Sequence, residues 1–326
     1  MINGLSEGGG QRPGPIDAAG IDCATAVARG KFDITTNPVT ARSRPAPGWL
    51  LLALLAAAIT VFYRLGALPL ITPDEGRNAE VAREMKESGS WLVPTYNGLP
   101  YLDKPAFYFK AVGLALAAVG DNETGARLPS ALSALGLLVV VGLFTHRVCG
   151  PRPAALAILV VTTLPLFISQ ARLVIFDITL AFFVCSSIVA GYLAESMEGA
   201  ARRRWYCLGA AAAGFATLVK GPVGFAVPLI VLIAHHAVER RWKAILRLFH
   251  PLNFVVIFAV VLPWFLGVTR AHPDFPHYGL IEETFKRFTT PQFRRTQPFY
   301  FYLVVLPATF FPWSLLLPGA GVAALR

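Results

Sequence analysis

The sequence predicts an all-α, polytopic membrane protein built as a bundle of transmembrane helices. Hydrophobic residues make up 55% of the 326 residues and charged residues only 15%, whereas a soluble domain is typically about 25% charged. Apolar runs long enough to cross a bilayer recur along the chain, and Arg and Lys lie mostly in the short connections between them. The net charge of +10 therefore reflects membrane topology. We expect membrane lipids around the protein and no nucleic acid as a partner.

The chain divides into a polar tail and a long apolar module. Residues 1–47 are rich in Gly, Pro, Ala and small polar residues without periodicity, which predicts a disordered N-terminal tail. Residues 48–326 form the predicted transmembrane module, with about eight crossings. The crossings are expected near residues 49–65, 128–146, 153–171, 178–195, 205–220, 222–238, 251–269 and 298–318.

The basic residues predict the orientation of the module. Basic clusters in short loops mark the cytoplasmic side of a membrane protein. Such clusters occur near residues 42–44, 147–152, 202–204 and 240–247, and they share one side if eight spans alternate. The segments that then face the periplasm are the loop 66–127, the turns at 171–177 and 220–222, and the segment 270–297.

The first loop, residues 66–127, is polar and predicts two helices on the membrane surface. Thr72 to Glu75 match a capping box, with Pro73 at the first helical position, so a helix should run to about Ser88 and stop at Gly89. Its small and apolar residues share one side, which predicts an amphipathic, interfacial helix; they are Ala79, Ala82 and Met85. The apolar stretch 106–119 is short for a span and predicts a second interfacial or re-entrant helix.

The outward segments bring charged side chains to one face. Asp177 stands at the mouth of an apolar span, where a carboxylate is costly unless it is paired or near water. Each candidate also has a plain structural interpretation. Acids in a first helical turn complement the helix dipole, Arg172 is a nearby partner for Asp177, and lysines beside aromatic residues snorkel to the interface. These interpretations apply to Asp74, Glu75, Asp177, Lys104 and Lys220, and for Arg287 an i, i+4 pair with Glu283 is the alternative.

Several short segments occur in an order that resembles a known family. They are Pro73-Asp74-Glu75, Tyr101-Leu102-Asp103-Lys104-Pro105, the stretch from Arg172 to Asp177, Lys220-Gly221-Pro222, and Glu283 to Arg287 followed by Pro298 to Tyr302. Over about residues 49–320 the chain resembles the bacterial ArnT-like branch of the GT-C glycosyltransferases. These are polyprenyl-phosphate-dependent membrane enzymes related to protein O-mannosyltransferases. The resemblance therefore implies a GT-C type helix bundle with an amphipathic, partly helical first periplasmic loop.

The resemblance also implies an activity. It implies a multi-pass glycosyltransferase of the bacterial inner membrane, acting in lipopolysaccharide biosynthesis with its site facing the periplasm. The donor would be a polyprenyl-phosphate sugar such as 4-amino-4-deoxy-L-arabinose, and the acceptor lipid A or another periplasmic molecule. By the same resemblance Asp74 and Asp177 are the catalytic acids. The residues that the resemblance assigns to the lipid phosphate and sugar are Glu75, Arg77, Tyr101, Lys104, Lys220 and Arg287.

The charges fit this chemistry. Breaking a sugar–phosphate bond returns negative charge to the leaving phosphate, which Lys and Arg side chains stabilise in a partly dehydrated site. Asp74 is suited to accept the proton of an attacking hydroxyl. An acceptor that is already an ionised phosphate needs no base.

The sequence departs from the family in two places. Residues 103–106 read DKPA where the family has an EKPP-like segment. No cofactor is assigned; a divalent metal stays open, with Asp103 and Glu283 as its candidate ligands. Family members continue with further spans and a soluble outer domain, so we expect a fragment or a short relative.

Other functions remain as alternatives. One is transfer, in the manner of an O-mannosyltransferase, to a protein or oligosaccharide hydroxyl. Others are a lipid or solute transporter and a non-catalytic membrane fragment. A transporter carries ionisable or helix-breaking sites near mid-span, whereas here the acids gather at the span ends. The pattern therefore favours the enzyme.

Overall fold

A computed structural model describes residues 48–71, 73–286 and 298–325. It is a helical bundle, which confirms the predicted fold class. The helices are α1 Gly48–Phe62, α2 Asp74–Ser88, α3 Phe107–Val119, α4 Glu123–Cys149, α5 Pro151–Thr162, α6 Pro165–Ala171, α7 Asp177–Ala194, α8 Gly199–Lys220, α9 Val223–Val238, α10 Trp242–Leu248, α11 Pro251–Ala271 and α12 Phe301–Thr309. A π-helix His277–Lys286 follows α11, and a 3-10 turn Trp313–Leu316 follows α12.

Two further parts of the chain are not among the helices of this bundle. Helix α13, Leu317–Leu325, belongs to a separate compact unit and is apolar throughout its described length. The predicted tail, residues 1–47, lies outside the described residues.

The apolar helices coincide with the predicted spans. Within the described residues, three helical segments are each long and apolar enough to cross a membrane: Glu123–Cys149, Asp177–Ala194 and Trp242–Ala271. Counting each of two bent helix pairs as one span raises the number to five. Helices α1 and α9 are shorter apolar helices, and α8 carries Arg202, Arg203 and Arg204 near its start. The protein is a multi-pass membrane protein, and the number of eight crossings stays a prediction.

Helix α2 forms close to the predicted range, but it begins at Asp74, so Pro73 is the residue before the helix and not its first residue. The helix ends at Ser88, and Gly89 follows in the left-handed conformation with a φ of 68°, which glycine adopts without steric cost. The side with Ala79, Ala82 and Met85 is buried and packs on α3, the second predicted helix. The first loop therefore contains two packed helices. Thr72, the predicted N-cap, lies outside the described residues.

A short hairpin between these two helices was not predicted. Strands β1 Thr95–Tyr96 and β2 Leu99–Pro100 pair antiparallel around Asn97 and Gly98, whose φ values are 53° and 74°. An Asn-Gly pair is a strong signal for a two-residue hairpin turn. The Glu84 carboxylate of α2 accepts hydrogen bonds from Thr95 Oγ1 at 2.7 Å, Asn97 N at 2.6 Å and Gly98 N at 3.2 Å. This contact holds the hairpin, and the segment that follows it, against α2.

Helices α7 and α8 pack side by side in opposite directions. Asp177 at the start of α7 pairs with Lys220 at the end of α8. Glu195, just after α7, accepts a hydrogen bond from Tyr206 near the start of α8. With 18 residues in α7, the two ends lie about 27 Å apart at ~1.5 Å per residue. The bundle thus has two distinct polar ends.

The turn after α8 brings α9 back in close contact. Gly221 has a φ of 81°, and a Cβ on Gly224 would meet the backbone of Ala216 at 2.2 Å. Only glycine fits at this approach, so the turn from 220 to 222 holds Lys220 in one position.

Candidate active site

The first turn of α2 places Asp74 and Arg77 at the surface of the bundle. Arg77 donates a hydrogen bond to Asp74 Oδ1 at 2.6 Å, and the Asp74 side chain is 63% exposed. The Arg77 guanidinium also lies 5.9 Å from the centre of the Tyr101 ring, a cation–π distance. The Arg77 Nε is buried and has no hydrogen-bond partner among the described residues. Here the site has an exposed carboxylate, that of Asp74, beside the guanidinium of Arg77, whose Nε has no hydrogen-bond partner among the described residues.

The segment after the hairpin carries Asp103 and Lys104 and begins at Tyr101, the residue that contacts Arg77. Tyr101 N donates to the Pro94 carbonyl at 2.8 Å, which fixes the chain leaving β2. Tyr278, in the π-helix, donates its hydroxyl to Asp103 Oδ1 at 2.5 Å. Lys104 Nζ lies 3.0 Å from Glu283 Oε2, and both side chains are largely buried. The segment from 277 to 286 therefore packs on the 101–104 segment through two polar contacts.

Burial changes the chemistry of Tyr101. Burial raises the pKa of Tyr101 to about 12, and the neighbouring Asp103 carboxylate acts in the same direction. The phenol is therefore neutral near pH 7. A neutral phenol is a hydrogen-bond donor suited to an anionic oxygen.

Glu75, the next residue in the same helical turn, is buried inside the protein. Arg127 Nε is 2.7 Å from Glu75 Oε1, and both side chains are almost fully buried. Glu75 also accepts hydrogen bonds from Ile71 N at 2.8 Å and Val174 N at 3.0 Å. The protein fills the acceptor capacity of both oxygens. These bonds give Glu75 a structural role, and its predicted contact with a substrate stays a prediction.

The environment keeps Glu75 ionised. Burial opposes ionisation, but the hydrogen bonds from Arg127, Ile71 and Val174 outweigh it, so the pKa of Glu75 lies below its ordinary value. Arg127 also donates to the carbonyl oxygens of Leu65, Leu68 and Pro69 at 3.0, 2.8 and 3.0 Å. One ion pair thereby joins the end of the first span to the start of α2.

Asp177 and Lys220 form a second polar group, at the mouth of the α7–α8 pair. They are hydrogen-bonded to each other and only partly buried. Lys220 Nζ also lies 5.6 Å from the centre of the Phe176 ring. Arg172, the alternative partner of Asp177, instead donates to the carbonyl oxygens of Thr60, Val61, Tyr63 and Arg64 at the end of α1. The structural interpretation that pairs Asp177 with Arg172 is therefore wrong.

The segment before α7 lies between the two groups. Asn78 of α2 donates to the Val174 carbonyl at 2.8 Å, and Val174 N donates to Glu75. Through these bonds the inner face of α2 is tied to residues 174–177. Among the described residues, no hydrogen bond or ion pair joins Asp74 directly to Asp177, so the two acids belong to neighbouring groups.

A divalent metal was left open by the sequence, with Asp103 and Glu283 as candidate ligands. The described residues contain no group of three or more His, Cys, Asp and Glu side chains that could hold a metal ion. The two candidate ligands have other partners, since Asp103 accepts from Tyr278 and Glu283 pairs with Lys104. Arg287, the last predicted phosphate ligand, lies outside the described residues.

Several residues that hold the site together were not predicted from the sequence. Arg127 is the clearest case, because an arginine in the first turns of an apolar helix needs a partner, and this rule was a signal for the buried pair with Glu75. The Asn-Gly turn was a signal for the hairpin. Nothing local indicated Asn78 or Tyr278, whose partners are 96 and 175 residues away in sequence.

The chain is similar to known proteins. A family model described as dolichyl-phosphate-mannose-protein mannosyltransferase matches residues 42–279. An undecaprenyl phosphate-alpha-4-amino-4-deoxy-L-arabinose arabinosyl transferase of Edwardsiella ictaluri is 32% identical over 278 residues, covering 84% of this chain and 50% of the relative. A protein of the same description from Pseudomonas savastanoi pv. phaseolicola is 34% identical over 270 residues, covering 82% and 50%.

Solved structures agree as well. The crystal structure of ArnT from Cupriavidus metallidurans bound to undecaprenyl phosphate superposes with a TM-score of 0.79 at 34% identity, covering 84% of this chain and 50% of that one. The apo structure of the same protein gives a TM-score of 0.75 at 33% identity, covering 83% and 50%.

These similarities define the class and then the family. The bundle, with its two-helix first loop, has the fold of a GT-C type membrane glycosyltransferase. The chain belongs to the dolichyl-phosphate-mannose-protein mannosyltransferase family. It spans about half the length of the arabinosyl transferases that it matches, 50% in both cases given above.

Proposed function

We propose that the chain carries the catalytic half of a membrane glycosyltransferase that takes a sugar from a polyprenyl-phosphate donor. The proposed sugar is 4-amino-4-deoxy-L-arabinose and the proposed acceptor is lipid A. The site would face the periplasm from the inner membrane. The observation that carries this proposal is the exposed Asp74 beside Arg77 and its unused Nε, in a fold shared with a structure that holds undecaprenyl phosphate.

In this proposal, basic side chains bind the donor phosphate. Arg77 and Lys104 lie on the two segments that the Glu84 contact holds together, and Lys220 lies on the α7–α8 turn. Charge-assisted hydrogen bonds from such groups to a phosphate are roughly twice as strong as neutral ones. Lys104 is now paired with Glu283, so a phosphate at Lys104 would compete with that carboxylate. Tyr101, as a neutral phenol, would donate to another phosphate oxygen.

The reaction breaks one bond and forms one. The bond between the anomeric carbon and the phosphate oxygen breaks, and polyprenyl phosphate leaves with the electron pair. The acceptor oxygen forms the new bond to the anomeric carbon. If the acceptor is a hydroxyl, its proton passes to Asp74; if it is an ionised phosphate, Asp74 orients it or stabilises the positive charge on the sugar. Asp177 would act from the neighbouring group through its pair with Lys220.

The acceptor has one specific alternative. The family model describes transfer of mannose to proteins, so a protein or oligosaccharide hydroxyl is the second candidate. A hydroxyl requires a base, whereas an ionised phosphate does not. Loss of Asp74 should therefore affect transfer to a hydroxyl more strongly.

The test is transfer of a labelled sugar in membranes that contain the chain. The donor is undecaprenyl phosphate linked to labelled 4-amino-4-deoxy-L-arabinose, with lipid A as the acceptor. We expect label in lipid A with the wild-type chain. Asp74→Asn should lower the rate by a factor of ~10² or more, the usual contribution of an acid–base group. Asp177→Asn should also impair transfer.

The matched control lies on the same helix. Glu87 is an exposed acid at the far end of α2, paired with Arg83, and Glu87→Gln should transfer at the wild-type rate. Equal rates for Asp74→Asn and the wild type would disprove the role of Asp74. No transfer by a wild-type chain that is present and folded in the membrane would disprove the proposed activity of this chain.

A further inference from the structure

The end of the bundle opposite Asp177 and Lys220 is organised around Glu195. Its Oε1 accepts a hydrogen bond from Tyr206 at 2.6 Å, and its Oε2 lies 2.8 Å from Arg247 NH1. These bonds join the end of α7, the start of α8 and helix α10. The Glu195 side chain is buried. Its negative charge is therefore compensated by Arg247 and does not add to the charge of the surface.

Helix α10 has two apolar stripes and only one of them packs on the protein. Ala244 and Leu248, four residues apart, are buried against the bundle. Trp242 and Leu246, spaced at i and i+4, form the other stripe, and Phe249 follows the last residue of the helix with its ring near that of Phe254. Trp242 is 64% exposed and Leu246 is 72% exposed. Residues at this spacing share one face of a helix. Within the part of the chain that the structure describes, nothing covers this stripe.

Basic side chains border the exposed stripe. Arg240 immediately precedes α10 and Lys243 lies within it, and both are exposed. Arg203 and Arg204 are exposed near the start of α8, at the same end of the bundle. Among the described residues these four side chains form no ion pair. The acids nearby are Glu198, Glu239 and the neutralised Glu195, so positive charge dominates this surface.

We propose that this surface binds the headgroups of anionic glycerophospholipids, with α10 lying in the membrane–water interface. Trp242 and Leu246 would enter the acyl boundary, and Arg240 and Lys243 would contact the lipid phosphates. Exposed Trp and Leu residues on one face, next to basic residues, are typical of interfacial helices. Basic residues beside a membrane bind anionic lipids through their charge. The site lies on the predicted cytoplasmic side and is independent of sugar transfer.

The exposed apolar stripe distinguishes this surface from a basic loop that only sets the orientation of the protein in the membrane. Short loops of membrane proteins carry Arg and Lys whether or not they bind a lipid. Such loops do not need a second apolar face on a helix whose first face is already packed. The cluster of Arg147 and Arg152, which also lies in a predicted cytoplasmic loop and is exposed, therefore provides the matched control.

The experiment measures which lipids stay bound to the purified full chain. The chain is reconstituted in vesicles of phosphatidylcholine with and without phosphatidylglycerol, extracted in mild detergent, and its retained lipids are counted by native mass spectrometry. We expect phosphatidylglycerol to be retained in preference to phosphatidylcholine. Removing a charge at the surface should lower that preference by about fivefold, since each basic residue near a membrane contributes about 1 kcal/mol.

Two sets of variants decide the outcome. Arg240→Gln with Lys243→Gln should lose most of the preference, Lys243→Arg should keep it, and Arg147→Gln with Arg152→Gln should match the wild type. Trp242→Ala with Leu246→Ala should also lower retention, because it removes the apolar contact and no charge. Equal retention in the wild type and in Arg240→Gln with Lys243→Gln would overturn the proposal. An equal loss in the control pair would overturn it too, because the effect would then follow total charge.

Discussion

Asp74 and Glu75 are adjacent in sequence, yet the structure places them in opposite environments. Asp74 is exposed and paired with Arg77 on the same helical turn, whereas Glu75 is buried against Arg127, 52 residues away. Four hydrogen bonds from protein groups fill the Glu75 carboxylate. Two adjacent acids of one motif therefore differ in exposure and in partners. Glu75 holds the helix in place, and Asp74 is exposed, as its proposed catalytic role requires.

The same contrast appears between the two faces of α2 along its length. The inner face carries Asn78 and Met85 against the core, while the outer face carries Arg83 and Glu87 in an exposed ion pair. Contacts on the inner face are specific and costly to break. Those on the outer face are worth little, because solvent screens them.

The largest expected effect is the loss of Arg127. Arg127→Met leaves Glu75 as a buried, unpaired charge, which typically costs about 3–5 kcal/mol of folding free energy. The measurement is the free energy of unfolding of the purified protein in detergent. Arg83→Met on the outer face is the control and should cost about 0.2–1 kcal/mol. A similar cost for the two variants would mean that the buried pair does not hold the loop.

The Glu75–Arg127 pair also predicts an acid limit to stability. The pKa of Glu75 is lower in the folded protein than its ordinary value of 4.5. Its contribution to stability is therefore present above about pH 4.5 and is lost as the pH falls through the folded pKa. Thermal unfolding followed from neutral pH to well below pH 4 should show this loss in the wild type. Glu75→Gln, which does not titrate, should show a smaller loss over the same interval.

The next prediction compares activity and stability in variants of Asp74 and Glu75. Asp74→Asn should lower sugar transfer by ~10² or more, while its folding free energy changes by only about 0.3–1 kcal/mol, the value of an acid near a helix N-terminus. Glu75→Gln should do the reverse, with a clear loss of stability. Transfer rates, corrected for folded protein, and melting temperatures of both variants test this contrast. Equal losses of stability in the two variants would contradict it.

A smaller effect is expected at Glu84, which joins α2 to the hairpin. Glu84→Gln weakens the three hydrogen bonds to residues 95–98, and hydrogen bonds to charged groups contribute about 1.5–3 kcal/mol. The hairpin should open more often, and the KM for the donor should rise because Tyr101 and Lys104 follow the hairpin. Hydrogen exchange at residues 95–101 measures the opening. Unchanged exchange there, or the same change in Glu87→Gln, would show that Glu84 does not position this segment.

The sequence alone determined the local features of this protein. The buried stripe of helix α2 and its stop at Gly89 follow from the spacing of its small and apolar residues and from the glycine, which act over three or four positions. The membrane class follows from composition, and the ordered motifs led to the family. Each of these signals is contained in neighbouring residues. They were therefore accessible without coordinates.

Only the tertiary structure decided which charges meet. Asp177 pairs with Lys220, 43 residues away, although Arg172 is nearer in sequence, because α8 returns antiparallel to α7 while Arg172 is turned to the carbonyl oxygens that end α1. Glu75 is buried and Asp74 exposed because adjacent residues on a helix point about 100° apart, and α4 brings Arg127 to only one of those directions. Pairing of this kind depends on how helices pack against one another, which the order of residues along the chain does not state.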